Sequence, residues 1–411
     1  MPQSAVHDRP EVEARNRPAR SAVSLWFISA ELAVMFVGST LLTPLYEVYR
    51  RSFGFSELTL TLIYAVYALG NLGALLFLGR LSDQIGRRWT SFRAIALAGA
   101  GTLVFLFATG SAALFVGRFL SGLAIGLASG TATAWIAETV PGQDRARASV
   151  IATAANYTGL FFGPLFAGFL VQYAPAPLRL SFGVYLALLI LTGFLLLLTQ
   201  ETVRAPVHRL REASLRPRIG VPAGLRAQFL PPAVAVFASF AVVGFYAALV
   251  PGLLRRDLHQ PNVAVGGLLV TLMFLAGLVG IASTRRLSSR TAMLGSLAVL
   301  FVSLALLVMA ETTRSLPMLL AATMLGGFSA AVGYRGSLQV VNQIAPAEQR
   351  AEVISSYLVA GFLGNSLPIV GIGVVSRFTT MGAANLYFDA VIALLTLGAL
   401  LAGVKWVPKS A

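Results

Sequence analysis

The chain has 411 residues, of which 57% are hydrophobic and only 11% charged, with 39 glycines and no cysteine. At a mean hydropathy of +0.78 no soluble globular domain could cover its own surface, so the composition excludes a water-soluble protein and implies an integral membrane one. The missing cysteines exclude disulfides and thiolate chemistry, and the net charge of +15 is to be judged by where it falls along the chain.

Residues 1–22 carry Asp8, Glu11 and Glu13 and lack an apolar core, so they read as a cytoplasmic tail rather than a cleavable signal. Apolar runs long enough to cross a bilayer, about twenty residues each, follow at 23–45, 58–79, 92–110, 112–137, 147–172 and 180–199. A basic stretch at 200–229 separates them from runs at 230–254, 262–283, 292–310, 316–341, 351–376 and 386–407, and residues 408–411 form a second short tail. The pattern predicts an all-α membrane protein of twelve spans in two six-helix bundles, 23–199 and 230–407. Lys and Arg crowd the loops on the side of the N-terminus. Only Arg50, Arg51, Arg179, Arg255, Arg256, Arg314 and Arg377 fall on the other side, with Arg118 and Arg335 inside spans. The positive-inside rule then places both termini in the cytoplasm, across a cell inner membrane. The positive charge is topology, and no nucleic-acid partner is expected.

The halves echo each other at an offset near 205, which pairs Pro44 with Pro251 and Pro141 with Pro346. A six-plus-six duplication implies two bundles facing each other, with a site between them near the bilayer midplane.

Residues 79–88 read GRLSDQIGRR, with Asp83 among Arg80, Arg87 and Arg88 and between Gly79 and Gly86. The glycines permit tight turns, the arginines anchor the loop at the cytoplasmic face, and a carboxylate can sit near a positive helix N-terminus. This segment resembles the loop 2–3 signature of the major facilitator superfamily, G-x-L-a-D-r-x-G-r-R. The twelve spans, the duplication and the basic linker extend the resemblance over the whole chain, although the second-half copy, Thr284-Arg285-Arg286-Leu287 with Arg290, is decayed. The resemblance implies the superfamily's fold and a latch in which Asp83 joins the halves on the cytoplasmic side, near the start of span 11 at Glu348 to Ala351.

Two further segments resemble the proton-coupled branches of that family. Leu114 to Gly126 is similar to l-x-x-x-R-x-x-q-G-x-g, whose arginine, here Arg118, is implicated in proton transfer; Ser121 stands for the usual Gln. Gly159, Gly163, Pro164 and Gly168 match the antiporter signature g-x-x-x-G-P-x-x-G-G, with Ala167 in place of its penultimate glycine and Val150 at an earlier glycine position. Glycines four apart let helices approach closely, and Pro164 removes a ladder bond and bends its span. Such a bend in the outer half could seal that side without charges.

Ionisable residues inside a membrane are costly and mark function; Glu31, Arg118 and Arg335 are the three expected there. Glu31 lies about eight residues into its span, roughly 12 Å along a helix, and is too short to reach the interface. It is expected to exchange a proton for a cationic cargo, the alternative being a carboxylate paired for packing. Arg335 is explained equally by snorkelling to the cytoplasmic end, and Asp389 reads as interfacial. Tyr64, Asn71, Asn156, Tyr157, Arg335, Tyr357 and Asn365 are expected as candidate cavity residues, with Tyr67, Tyr246, Tyr334 and Asn342 as further choices.

The only lysines, Lys405 and Lys409, follow no glycine, so no phosphate-cradling loop exists. His7, His208 and His259 fall in tails or loops, which leaves neither an enzyme active site nor a metal site, and no cofactor is expected. The expected function is a proton-coupled efflux antiporter, working as a monomer in the lipid bilayer, that exchanges protons for a lipophilic or cationic small molecule. The alternatives are a symporter or uniporter importing a sugar, organic acid or other nutrient, and a transport-dead receptor.

Overall fold

The computed structural model describes residues 9–79, 81–203 and 219–408. Parts of the expected tails, 1–8 and 409–411, together with Arg80 and linker residues 204–218, lie outside the described residues. Among the described residues twelve helices are long and apolar enough to cross a membrane. In chain order they are α1 (Arg9–Thr40), α2 (Glu57–Gly73), α3 (Arg87–Leu106), α4 (Ser111–Thr139), α5 (Arg145–Tyr173), α6 (Pro177–Leu197), α7 (Arg226–Ala248), α8 (Val263–Ser283), α9 (Ser289–Thr313), α10 (Leu316–Ile344), α11 (Arg350–Val375) and α12 (Met381–Trp406).

Every expected span has one of these helices beneath it. The ends differ by a few residues because polar caps lie beyond the apolar runs. Ser56, Asp144, Ser288, Ser315 and Thr380 each accept a first-turn amide of α2, α5, α9, α10 and α12 with the side chain. At its other end α9 runs on to Thr313 and takes in Glu311, which the apolar run ending at 310 left outside.

The duplication is visible in the backbone. Pro44 sits in a 3-10 turn, Thr43–Leu45, that joins α1 to a short helix, Tyr46–Phe53; Pro251 lies in the first turn of a short helix, Val250–Arg256, that follows α7. A first turn tolerates a nitrogen without a proton, so the chain bends at both places without losing a bond it needs. Close approaches repeat as well. Gly159 leaves room on α5 for the Ala33 carbonyl and Phe36 of α1, and Gly364 on α11 does so for Phe237 of α7. Likewise Gly122 of α4 meets Tyr67 and Asn71 of α2, and Gly327 of α10 meets Met273 of α8. Both glycine pairs are 205 residues apart.

The halves meet along two seams, α5 against α8 and α2 against α11. In the first, Gly168 lies on Gly267 and Ala264, and the Pro164 carbonyl packs on Gly267. Thr271 Oγ1 donates to the Phe161 carbonyl at 3.1 Å, and the Val263 amide to Gln172 Oε1 at 2.8 Å. In the second, Gly373 lies on Leu58 and Thr61, and the Tyr64 hydroxyl donates to Asn365 Oδ1 at 3.0 Å. At the rim Arg256 Nη1 donates to Glu57 Oε1 at 3.0 Å. All these contacts lie between the middle of the helices and the far end, the end opposite the chain termini. Among the described residues no hydrogen bond or ion pair joins the bundles toward the terminal end, and the ring contact of Tyr157 with Phe274, 6.5 Å between centres, lies near the middle of α5 and α8. The bundles are thus closed at the far end and parted at the other.

Candidate substrate and coupling site

Close packing of α4 on α2 through Gly122 and Gly126 brings Arg118 among three tyrosines. Its guanidinium lies 4.4 Å from the Tyr67 ring centre and 5.7 Å from those of Tyr46 and Tyr64. Nη1 donates to the Ser39 carbonyl at 3.3 Å, and Nε has no partner. Arg118 is 2% exposed, and no carboxylate pairs with it among the described residues. Aromatic faces therefore do the work of a counter-ion, each desolvated contact being worth up to about 2 kcal/mol. Tyr46 arrives here because the chain bends at Pro44. Tyr64 also bonds Asn365 across the seam, so the cage senses how the halves are placed. On the other seam Tyr157 packs edge-on against Phe274 with ring centres 6.5 Å apart, and the adjacent Asn156 keeps a buried Oδ1 without a partner.

Glu31 is fully buried between α1 and α3, apart from this cage. Its Oε2 accepts from Ser91 Oγ at 3.0 Å, and Oε1 has no partner. The pocket therefore offers one donor and no cation.

Several residues expected at the cavity serve packing instead. Asn71 lies under Gly126 where α2 meets α4. The Tyr357 hydroxyl is buried inside the C-terminal half with Ser337 Oγ at 2.7 Å and the Tyr334 carbonyl at 3.1 Å. Arg335 Nη2 donates to the Thr284 carbonyl at 2.7 Å, where a cation suits the C-terminus of α8. Asp389 is not interfacial but buried, because α12 turns it toward α7 and α9. A cleft of about 310 Å³ lies at the far rim among Pro44, Glu47, Arg51, Pro251, Arg255 and Asn262; it does not include the Arg118 cage.

The 79–88 loop also departs from expectation. Gly86, at φ +101°, makes a turn that favours glycine, whereas Gly79 has ordinary helical angles, φ −57° and ψ −24°. A one-turn helix, Leu81–Ile85, follows. The place at the N-terminus of α3 expected for Asp83 is filled by Glu201, whose Oε1 and Oε2 accept the Arg87 and Arg88 amides at 2.9 and 3.0 Å. Asp83 pairs instead with the Arg87 guanidinium, which reaches Glu138 at 2.6 Å and Ser82 Oγ at 2.6 Å. Arg87 is thus a buried fork inside the N-terminal half. The expected contact between Asp83 and the start of α11 is not made, since the halves are apart at this end. Glu138 and Glu201 were missed in the sequence because each sits alone at the edge of an apolar run.

The model of the Major Facilitator Superfamily matches residues 32–368, most of the chain and both halves. The chain belongs to that superfamily. Among curated proteins, this superfamily member is similar to the quinolone resistance protein NorA of Staphylococcus aureus (strain MRSA252), 24% identical over 139 residues, which are 34% of this chain and 36% of the relative. It is also 24% identical to multidrug resistance protein 2 of Bacillus subtilis (strain 168) over 144 residues, 35% of this chain and 36% of the relative. The match thus spans about a third of these relatives. Among solved structures, the peptide transporter POT in complex with sulfate gives a TM-score of 0.72 at 17% identity, over 99% of this chain and 95% of that one. A bacterial homologue of the human lysosomal transporter Spinster, inward-facing and unoccupied, gives 0.64 at 17% identity, over 94% and 95%. The protein is a multi-pass membrane transporter, not an enzyme, and its superfamily moves small molecules across a lipid bilayer.

Proposed function

We propose that the protein is a proton-coupled efflux antiporter that exports a lipophilic cation or neutral amphiphile by alternating access, as a monomer in the cell inner membrane with both termini cytoplasmic. On that orientation the described conformation faces inward. The observation that carries the reading is the Arg118 cage, an aromatic site tied across the seam by the Tyr64–Asn365 bond. An aromatic wall holds apolar and cationic cargo through its π faces, and separating the halves at that seam breaks the bond and remakes the wall. Glu31 is the proton carrier in this reading, Arg118 couples it to the cage, and Gly159, Gly163, Pro164 and Gly168 form the dry outer seal. Partial similarity to two drug-resistance proteins supports efflux over import. Arg118 supports a second reading, uptake of an organic anion, because a buried guanidinium without a carboxylate is a natural anchor for one.

Proteoliposomes with an acidic lumen and inside-out transporter separate the two. Efflux antiport requires accumulation of tetraphenylphosphonium that collapses with a protonophore and is lost in Glu31→Gln. Accumulation that ignores the gradient, or proton flux in the same direction as the cargo, overturns it.

A further inference from the structure

In the C-terminal half, α9 and α12 bring two acids together away from the Arg118 cage. Asp389 is 3% exposed, and neither carboxylate oxygen has a partner. One turn earlier on α12, Asn385 is 1% exposed; its Nδ2 donates to Glu311 Oε1 of α9 at 3.1 Å, while its Oδ1 has no partner. Side chains four apart on a helix lie one above the other, so the free amide oxygen and the Asp389 carboxyl share one pocket. Tyr246 of α7, fully buried, interacts electrostatically with both acids. Glu311 in turn interacts with Arg256 and Asp257 at the far rim, and Asp389 with Glu311. These are the titratable and charged groups that face the pair.

Among the described residues two negative charges here would have no buried cation to offset them, and leaving a charge uncompensated in a membrane interior is heavily penalised. We infer that Asp389, Asn385 and Glu311 form a proton-binding site belonging to the C-terminal half alone. One proton bonds to an Asp389 oxygen and is donated to the free Asn385 Oδ1, which removes the charge from Asp389 and gives the amide oxygen a donor; Glu311 keeps its bond from Asn385 Nδ2. Glu311 is only partly buried, so the proton enters from water at the far rim and returns there. A metal ion would need several oxygens converging at fixed distances, whereas this pocket is completed by one proton. The site would act as a second coupling point beside Glu31, a role that rests on the proton-driven reading above.

Infrared difference spectra of the full chain in lipid, between acidic and alkaline buffer, test the site without any cargo. The carbonyl stretch of a protonated carboxyl is expected to lose one component in Asp389→Asn, to shift in Asn385→Ala and Glu311→Gln, and to keep that component in Glu31→Gln. A spectrum unchanged in all three C-terminal variants overturns the site, as does a component that sodium chloride removes and choline chloride does not. In the flux assay, Asp389→Asn should lower the protons exchanged per cargo by about one. A wild-type ratio in that variant overturns the coupling role even if the infrared component is lost. Absence of gradient-driven flux in the wild type defeats the efflux reading instead, and the infrared result still decides the site.

Discussion

The loop at 79–87 and its counterpart at 284–290 occupy matching places in two halves that share the same pattern of packing glycines, yet only the first holds a charge network. In the N-terminal half Arg87 is buried between Asp83, Ser82 and Glu138, and Glu201 caps α3. In the C-terminal half Arg285 and Arg286 are exposed, Ser288 caps α9, and Arg290 reaches only the Val404 carbonyl at 2.8 Å. Helix packing has been kept in both copies while the charges stand in one. The architecture therefore needs the glycines twice, but among the described residues the charge network at the terminal end is asymmetric.

That contrast can be broken first at the packing both halves share. In Gly267→Val the new side chain would meet the Pro164 carbonyl and Gly168 Cα, so the far seam could not close. Transport should be abolished and thermal stability lowered by about 1–3 kcal/mol, the usual cost of overpacking; a melting curve and the flux assay read both. Next comes the charge network. Arg87→Gln strands Asp83 and Glu138, and since their side chains are 57% and 36% exposed, screening cuts the loss to about 1–3 kcal/mol, below the 3–5 of a fully buried pair. Arg286→Gln in the matching loop should cost less than ~0.5 kcal/mol. Equal losses in the two variants would erase the asymmetry. At the cage, Arg118→Lys keeps the charge and loses the planar stack, for a fall of about tenfold in transport rate. Glu201→Gln, which removes one charge at the α3 N-terminus, should cost less than Arg87→Gln, ~0.3–1 kcal/mol in the same melting curve.

Much of this was legible in the sequence because membrane helices must satisfy their own backbone, which makes long apolar runs readable as spans. Pro44 with Pro251 announced the repeat, and Gly159 marked a helix contact. The polar sites were harder. Asp389 looked interfacial from its distance to a span end, since distance along a helix says nothing about which face a residue occupies. Tyr357 and Asn71 have the composition of cavity residues but the packing of contact residues. The Arg118 cage needs Tyr46, from beyond the Pro44 bend, and no periodicity shows where that bend points. The partners of Asp83 were misjudged for another reason. The resemblance spoke of a closed terminal end, and the chain is open there.

Alternating access is most directly tested by two label pairs, which the cysteine-free chain accepts without prior changes. Ser149→Cys with Ser283→Cys reports the terminal end between α5 and α8, and Arg179→Cys with Pro261→Cys reports the far end. Pulsed electron paramagnetic resonance on the full chain in lipid, with and without cargo and across pH, gives both distances. Alternating access predicts that the first distance shortens as the second lengthens under one set of conditions, and that Gly267→Val prevents the exchange. Two distances that stay fixed, or that grow and shrink together, would contradict it.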